Sequence, residues 1–310
     1  MIDLKTFLPP RFYVGVTDTQ WFEFLRAEPA LDEVNFWSPG SRSLAAGRGT
    51  PFVFKLRAPM NAIGGIAFVS FVESMSIRDA WEFFGRENGV SSLPRLQQRI
   101  AANRPSKTAE LDDKIGCFVL SQPTFFPNPI PQPEDWPPSL QGGKYYFTSS
   151  EPGLRVWREI AVALTERLSP PIASPFGGVE LRLQPARIGQ GAFRKLVLDA
   201  YGRRCAVSGE HTVPVLQAGH IRPFAAIGQH EVTNGLALRS DIHTLFDRGY
   251  ITVTPDFKLR VSKRLRADFD NGEIYYEYER TRPRILVPDA AQNRPNRELL
   301  EWHNETVFHA

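Results

Sequence analysis

Seven prolines fall within the sixteen residues 123–138, and this run restricts most strongly what the chain can form. Proline fixes φ and lacks a backbone N–H, so it interrupts helices and is excluded from central strands. Residues 123–138 are therefore predicted to be an extended surface loop or linker, with a proline-motif ligand as the less favoured alternative. A turn and a strand are predicted at residues 142–147, which places the end of a first domain near residue 150.

The first 120 residues mix short strands with short helices. β-branched and aromatic residues mark the strands, and apolar residues at helical spacing mark the helices. The predicted strands are Phe12–Val16, Pro51–Leu56 and Ile63–Val72, and the predicted helices are 19–26, 76–85 and 92–101. Because the strands do not alternate regularly with long helices, a small β-barrel decorated with helices fits better than a parallel α/β sheet.

The remaining chain is predicted to contain a connector and a second domain. Apolar residues at helical spacing predict an amphipathic helix over 154–168, which ends where prolines follow Ser169. We assign residues 1–150 to the first domain, 151–185 to a helical connector and 186–310 to the second domain. The overall class expected is α+β.

Composition excludes several classes of protein. Hydrophobic residues make up 42% and charged residues 23%, which is typical of a folded soluble domain. The longest apolar runs, such as Ile63–Val72, are too short to cross a bilayer, and the first residues lack the pattern of a secretion signal. Two cysteines cannot form a disulfide framework or a four-cysteine zinc site. We therefore expect a cytoplasmic protein with no membrane partner.

The charge distribution favours an anionic partner for the second domain. The net charge is +3, and residues 186–310 hold 18 Lys and Arg against 15 Asp and Glu. The whole positive excess therefore lies in the last 125 residues. Because this excess is small, it is compatible with binding to nucleic acid but is not sufficient evidence for it.

Histidines concentrate in the same region, with four of the six between His211 and His243. Hydrolysis of a phosphodiester needs a base that deprotonates water and a cation that stabilises the developing charge. His220 suits the base because histidine titrates near neutral pH. His243 and Asp247 are four residues apart on a predicted helix, so both can hold one divalent cation. Asn234 precedes a glycine in a predicted turn, where its amide can hold the backbone.

Around these residues the chain contains the segments AGHIRP, NGLAL and HTLFDRG. Their order resembles that of the HNH, or ββα-metal, nucleases across residues 203–252. The resemblance implies that His220 is the general base, Asn234 an orienting residue and His243 a metal ligand. Asp247 matches a second helix ligand of some members. The implied cofactor is a divalent metal, with Mg²⁺ favoured over Mn²⁺ or another transition metal.

The sequence departs from that family in two places. Many members carry a metal-binding Asp or His directly before the catalytic histidine, whereas this chain has Gly219. Water and phosphate oxygens would then complete the coordination of a cation held by two protein ligands, which suits Mg²⁺. Gln217 and Asp241 are alternative ligands that the sequence does not favour. Zinc-stapled members have two cysteine pairs, whereas only Cys205 is present near this segment, and it is expected to lie in the core.

The first domain resembles the PUA superfamily, most closely its EVE and ASCH-like branches, across about residues 10–150. The features that carry the resemblance are an aromatic-Ser-Pro turn at 36–39, a strand ending in Lys55 and an Ile-Gly-Gly-Ile-Ala strand from Ile63. Small barrels of this superfamily bind nucleic acid and in some cases a flipped modified base. A flipped base requires aromatic walls and polar groups at its edge. The candidates are Trp37, Ser38, Asn35, Tyr13 and Trp21.

Together these resemblances imply a PUA-like β-barrel with helices followed by a ββα-metal HNH nuclease domain. The expected function is a modification-dependent restriction enzyme that reads a modified base, such as a modified cytosine, in double-stranded DNA. One alternative is an HNH nuclease of another defence system that recognises unmodified DNA. Another is a non-catalytic DNA-binding module with a decayed HNH fold. The chain has one catalytic set, so cleavage of both strands requires a homodimer, a transient pair of protomers or rebinding.

Overall fold

The computed structural model describes residues 8–28, 31–40, 46–168, 190–223 and 231–310. The chain divides into two compact units, Met1–Gly189 and Gln190–Ala310. Both units combine strands with helices, so the α+β class is confirmed. Residues 169–185 of the predicted connector lie outside the described residues.

The first unit is built on a six-stranded mixed sheet. Its strands are β1 (Arg11–Thr17), β2 (Glu33–Ser38), β3 (Pro51–Leu56), β4 (Ala62–Ser76), β5 (Lys114–Pro131) and β6 (Gly143–Phe147). Their order is β2-β5-β4-β3-β1-β6. β1 and β3 are parallel, and the other neighbouring strands are antiparallel. β2 and β6 therefore form the two edges.

The pairing of neighbouring strands in this sheet is irregular. The register between β4 and β5 shifts at three points, the first between Ile63 and Gly65. A Cβ at Gly65 would lie 2.4 Å from the carbonyl oxygen of Thr124, so only glycine permits this approach of the two strands. The Gly64–Gly65 pair thus lies at a bulge inside one long strand, and bulges bend a strand and increase its twist.

In the described part of this unit, the helices that accompany the sheet are α1 (Thr19–Ala27), α2 (Ile77–Phe84), α3 (Leu93–Ala102) and α4 (Gly153–Leu168). Asp18 accepts a hydrogen bond from the N–H of Trp21 and caps α1, and Ser76 caps α2 in the same way. These caps satisfy N–H groups that the first turn of a helix leaves unpaired. They place the helix starts within a residue of those predicted.

Two apolar cores lie on opposite faces of the sheet. Side chains alternate along a strand, so Phe12 faces one core while its neighbour Tyr13 faces the other. The first core includes Val156, Trp157 and Ile160 of α4. The second includes three residues of α1, namely Trp21, Phe22 and Leu25. Helix α4, which the sequence places in the connector, thus packs within the first unit.

The proline-rich segment differs from its prediction, because β5 continues through it to Pro131. The pairing of β5 with β2 covers Gly116–Ser121, and the prolines follow beyond it. There β5 pairs with β4, from Ile66 opposite Thr124 to Ala62 opposite Pro131. Proline is tolerated in a strand with one open edge because the missing N–H faces no partner. A proline run therefore excludes a central strand but permits this edge extension.

The second unit contains a β-hairpin followed directly by a helix, with further short elements around it. The elements are α5 (Gln190–Ala200), β7 (Leu216–His220), β8 (Gly235–Arg239), α6 (Ser240–Asp247), β9 (Ile251–Val253), β10 (Leu259–Val261), α7 (Arg264–Phe269), α8 (Glu273–Thr281) and α9 (Arg297–Thr306). Cys205 is fully buried, as expected, and its sulfur accepts a hydrogen bond from the N–H of Arg239. Across the described ranges, no helix has both the length and the apolarity needed to cross a membrane.

Candidate active site

The β7–β8 hairpin and α6 bring the three predicted catalytic residues together. β7 and β8 are antiparallel, and His220 at the end of β7 is paired with Gly235 at the start of β8. Asn234 directly precedes β8. The helix α6 begins immediately after β8 and carries His243. Residues far apart in sequence thus meet at one end of a ββα unit.

His220 lies against an aromatic ring of α5. The rings of His220 and Phe193 are stacked, with centroids 4.1 Å apart and planes 8° apart. Burial and, to a smaller extent, the charge of nearby His243 together lower the pKa of His220 to about 4. The imidazole is therefore neutral at physiological pH, which is the protonation state a general base requires.

Asn234 holds the backbone that follows His220. Its side chain is 2% exposed and forms two reciprocal hydrogen bonds with Arg222. The N–H of Arg222 donates to Oδ1 of Asn234 at 2.9 Å, and Nδ2 of Asn234 donates to the carbonyl of Arg222 at 2.9 Å. The N–H of Ile221 also donates to the carbonyl of Asn234 at 2.9 Å. These bonds fix the chain on the C-terminal side of His220.

His243 and Asp247 share one face of α6. Nε2 of His243 lies 3.3 Å from Oδ2 of Asp247. Nδ1 of the same ring lies 2.7 Å from Oε1 of Gln217, a β7 residue to which the sequence gives no firm role. The Asp247 side chain is 57% exposed, so this end of the pair is open to solvent.

Gly219 lies directly beneath the His243 ring. A Cβ at Gly219 would be 2.6 Å from Cδ2 and 2.9 Å from Nε2 of His243. Real Cβ atoms do not approach other atoms this closely. The space that a side chain at position 219 would need is therefore occupied by the imidazole of α6.

The described residues contain no group of three or more His, Cys, Asp or Glu side chains suited to a metal ion. They do offer the pair His243 and Asp247. One imidazole nitrogen and one carboxylate oxygen on adjacent turns of a helix fit a small divalent cation that keeps several water ligands. Asp241 does not belong to this set, because Arg239 donates two hydrogen bonds to it, at 2.7 and 2.8 Å.

In the first unit, three of the five candidate base-binding residues belong to the core. Tyr13 is 5% exposed, and burial together with the neighbouring Tyr145 raises its pKa to about 12. Trp21 is 3% exposed and donates from Nε1 to the carbonyl of Asn35. Asn35 is fully buried, and its Nδ2 donates to Oδ1 of Asn88 at 2.9 Å. These contacts stabilise the fold around the site.

Trp37 and Ser38 are partly exposed. Nε1 of Trp37 donates to the carbonyl of Asn88 at 3.0 Å, and the hydroxyl of Ser38 donates to the carbonyl of Gly40 at 2.8 Å. Trp37 and Trp21 both line a small cavity of about 70 Å³. The other lining residues are Val16, Asp18, Phe36, Pro39, Arg57 and Asn103.

A wider groove of about 670 Å³ adjoins this cavity, and both are lined by Asp18, Arg57 and Asn103. The groove adds two arginines of α3, Arg95 and Arg99. Burial acts to raise the pKa of Asp18, but hydrogen bonds from the Trp21 N–H and from Arg99 hold it below its usual value. An ionised carboxylate and several guanidinium groups therefore line one open groove.

Sequence reasoning missed these polar residues. Asp18 is recognisable in the sequence only as a helix cap. Arg95 and Arg99 are four residues apart, which predicts a shared helix face but no ligand. Gln217 is recognisable in the sequence only as an unfavoured alternative ligand of the cation.

Residues 205–254 match a family model described as HNH endonuclease. No curated protein matches this chain. Among solved structures, ASCH from Zymomonas mobilis has 15% sequence identity and a TM-score of 0.33, covering 49% of this chain and 94% of that chain. The modification dependent TagI restriction endonuclease has 13% identity and a TM-score of 0.29, covering 90% of this chain and 77% of that chain. The residues that match the HNH endonuclease model thus include the β7–β8 hairpin and α6, which carry His220, Asn234 and His243.

Proposed function

We propose that this protein is a metal-dependent DNA endonuclease that selects DNA carrying a modified base, as modification-dependent restriction enzymes do. The observation that carries the nuclease role is the neutral His220, held against Phe193 near the His243 and Asp247 pair. A neutral imidazole beside a pair of cation ligands is the arrangement that hydrolysis of a phosphodiester requires.

In this proposal His220 accepts a proton from the attacking water. The water oxygen forms a bond to phosphorus, and the bond from phosphorus to the leaving sugar oxygen breaks. Asn234 keeps the backbone beyond His220 in place through its two bonds to Arg222. His243 and Asp247 would hold a divalent cation, which would stabilise the charge that develops on the phosphate and the leaving oxygen. Mg²⁺ is the first choice, with Mn²⁺ or another transition metal as alternatives.

Base selection is assigned to the first unit. The small cavity beside Trp37 offers aromatic walls, and the ionised Asp18 at its edge accepts hydrogen bonds. A flipped base is stacked on aromatic side chains and read at its polar edge. The exocyclic amine of a modified cytosine suits a carboxylate acceptor such as Asp18. Arg57 and Arg95 in the adjoining groove suit the backbone phosphates.

The decisive experiment compares cleavage of one supercoiled plasmid in two forms, unmodified and fully modified at cytosine. The full chain is incubated with each form in the presence of Mg²⁺, Mn²⁺ or EDTA. We expect cleavage of the modified form, with either metal, and none with EDTA. Equal cleavage of both forms would favour a nuclease that recognises unmodified DNA. Binding without cleavage under every metal condition would favour a DNA-binding module with a decayed HNH fold.

The same plasmid tests the proposed homodimer. One His220 site attacks one phosphate, so two strands require two protomers or two binding events. If protomers pair on DNA, the rate of linear product formation rises more steeply than in proportion to enzyme concentration. Direct linearisation by a chain that stays monomeric on DNA would contradict pairing.

A further inference from the structure

Gln217 occupies a specific place beside the proposed cation ligands. It lies on β7, two residues before Gly219, so both residues share one face of the strand. Both meet the same ring of α6: Gly219 by close approach and Gln217 by a hydrogen bond to Nδ1 of His243 at 2.7 Å. The strand therefore determines both where the imidazole lies and which of its nitrogens faces β7.

The chemistry of this hydrogen bond fixes the proton on the ring. A neutral imidazole has one N–H donor and one acceptor nitrogen, and an amide oxygen can only accept. With Oε1 of Gln217 facing Nδ1, the ring must donate from Nδ1. The lone pair is then on Nε2, the nitrogen that lies 3.3 Å from Oδ2 of Asp247.

A second partner competes for the proton. The carboxylate of Asp247 also accepts hydrogen bonds and favours a proton on Nε2, at 3.3 Å. The bond to Gln217 is shorter, at 2.7 Å, and well within the usual range for N–H···O. A proton on Nε2 would block that nitrogen from binding a cation, because a metal ligand must be deprotonated.

We propose that Gln217 is a positioning residue that holds His243 in the Nδ1–H tautomer and so directs the Nε2 lone pair toward the cation bound with Asp247. Partners of this kind orient metal-binding histidines, and their loss typically weakens metal affinity about 10- to 100-fold. Gln217 touches neither cation nor DNA in this role. The inference builds on the cation site of the proposed function and names a residue that controls it.

The test uses the metal-free full chain and needs no DNA. Nitrogen-15 NMR distinguishes the two histidine tautomers, and His243→Gln identifies the signals of His243. At about pH 8 we expect the Nδ1–H tautomer in the wild type. In Gln217→Leu we expect the proton to move to Nε2, beside Asp247. A wild-type ring protonated on Nε2 would overturn the proposal.

Manganese binding gives a second readout. Gln217→Leu is expected to weaken Mn²⁺ binding about 10- to 100-fold, and Gln217→Glu, which keeps an acceptor oxygen, to restore it. Gln292→Leu is the matched control, since Gln292 is exposed in the same unit and is expected to leave Mn²⁺ binding unchanged. Wild-type affinity in Gln217→Leu would contradict the inference. A chain that shows the Nδ1–H tautomer but cleaves no DNA would refute the nuclease proposal and leave the role of Gln217 standing.

Discussion

The imidazole ring of His243 lies against Gly219 and occupies the space that a Cβ atom at position 219 would need. The nearest ring atom would lie 2.6 Å from a Cβ at Gly219. A ligand side chain at position 219 and the present position of the His243 ring exclude each other.

Gly219→Ala is therefore expected to displace His243 and weaken Mn²⁺ binding by at least about tenfold, since a metal site tolerates little movement of its ligands. Calorimetry with Mn²⁺ measures the change. Gly142→Ala is the control, because a Cβ at Gly142 has no atom within 4 Å. Equal Mn²⁺ affinity in the two variants would show that the ring can move without cost.

His220→Ala is expected to reduce cleavage about 10²- to 10⁴-fold while DNA binding changes little, because only proton transfer is lost. Nicking of modified plasmid and a gel-shift titration measure the two effects. His211→Ala removes an exposed histidine of the same domain and is expected to cleave normally. Cleavage by His220→Ala within a few-fold of wild type would remove His220 from the mechanism.

The pKa of His220 predicts how cleavage depends on pH. Burial against Phe193 holds this pKa at about 4, so the neutral base persists well below pH 6.5. Phe193→Leu exposes one face of the imidazole, and the pKa is expected to rise toward its ordinary value of about 6.5. At pH 6 the variant then has less neutral base than the wild type. NMR titration of His220 in the metal-free chain measures the shift, and an unchanged pKa would contradict this explanation.

His303 is expected to make stability depend on pH. It is 2% exposed, its ring is stacked on Phe246, and its two nitrogens face the Thr252 hydroxyl and the Phe246 carbonyl. Burial lowers the pKa of His303 to about 4 in the folded chain, whereas the unfolded chain has about 6.5. Between these two pKa values the unfolded state binds more protons than the folded state. The contribution of His303 to the free energy of unfolding is therefore fully present above pH 6.5 and is lost as the pH falls toward 4.

Between pH 6.5 and 4, protonation of His303 in the unfolded chain lowers the free energy of unfolding by about 3 kcal/mol. Urea unfolding followed through NMR signals of β9 measures it in the second unit. In His303→Leu this component of the pH dependence is expected to disappear. A variant that keeps the full acid destabilisation of the wild type would assign the effect to other groups.

Trp37 and Trp21 line one cavity but are expected to respond differently to substitution. Trp37 is partly exposed, so Trp37→Ala is expected to weaken binding of modified DNA by about 1–3 kcal/mol through lost base stacking. Trp21 is 3% exposed, so Trp21→Ala is expected to cost about 3–5 kcal/mol of stability. Fluorescence binding assays and urea unfolding separate the two effects. Unchanged binding of modified DNA by Trp37→Ala would place the base elsewhere.

Local patterns predicted much of the fold because they depend on neighbouring residues. The caps at Asp18 and Ser76 and the helical spacing of α1 to α4 are short-range features, and the structure places these helices close to their predicted bounds. The proline run was misjudged because its outcome depends on whether a second strand covers that side of β5. Which strands pair with β5 along each part of its length depends on the arrangement of the whole sheet.

By itself the sequence determined the residue types of the HNH segment and their order. The four-residue spacing of His243 and Asp247 and the Asn-Gly pair at 234–235 depend on local geometry alone. Tertiary structure alone decided that Gln217 faces His243 across 26 residues and that Arg99 reaches Asp18 across 81. It also decided that Phe193 covers His220. The reason is physical: a hydrogen bond or a buried face forms only where packing brings distant segments within a few ångströms, and no local spacing encodes that approach.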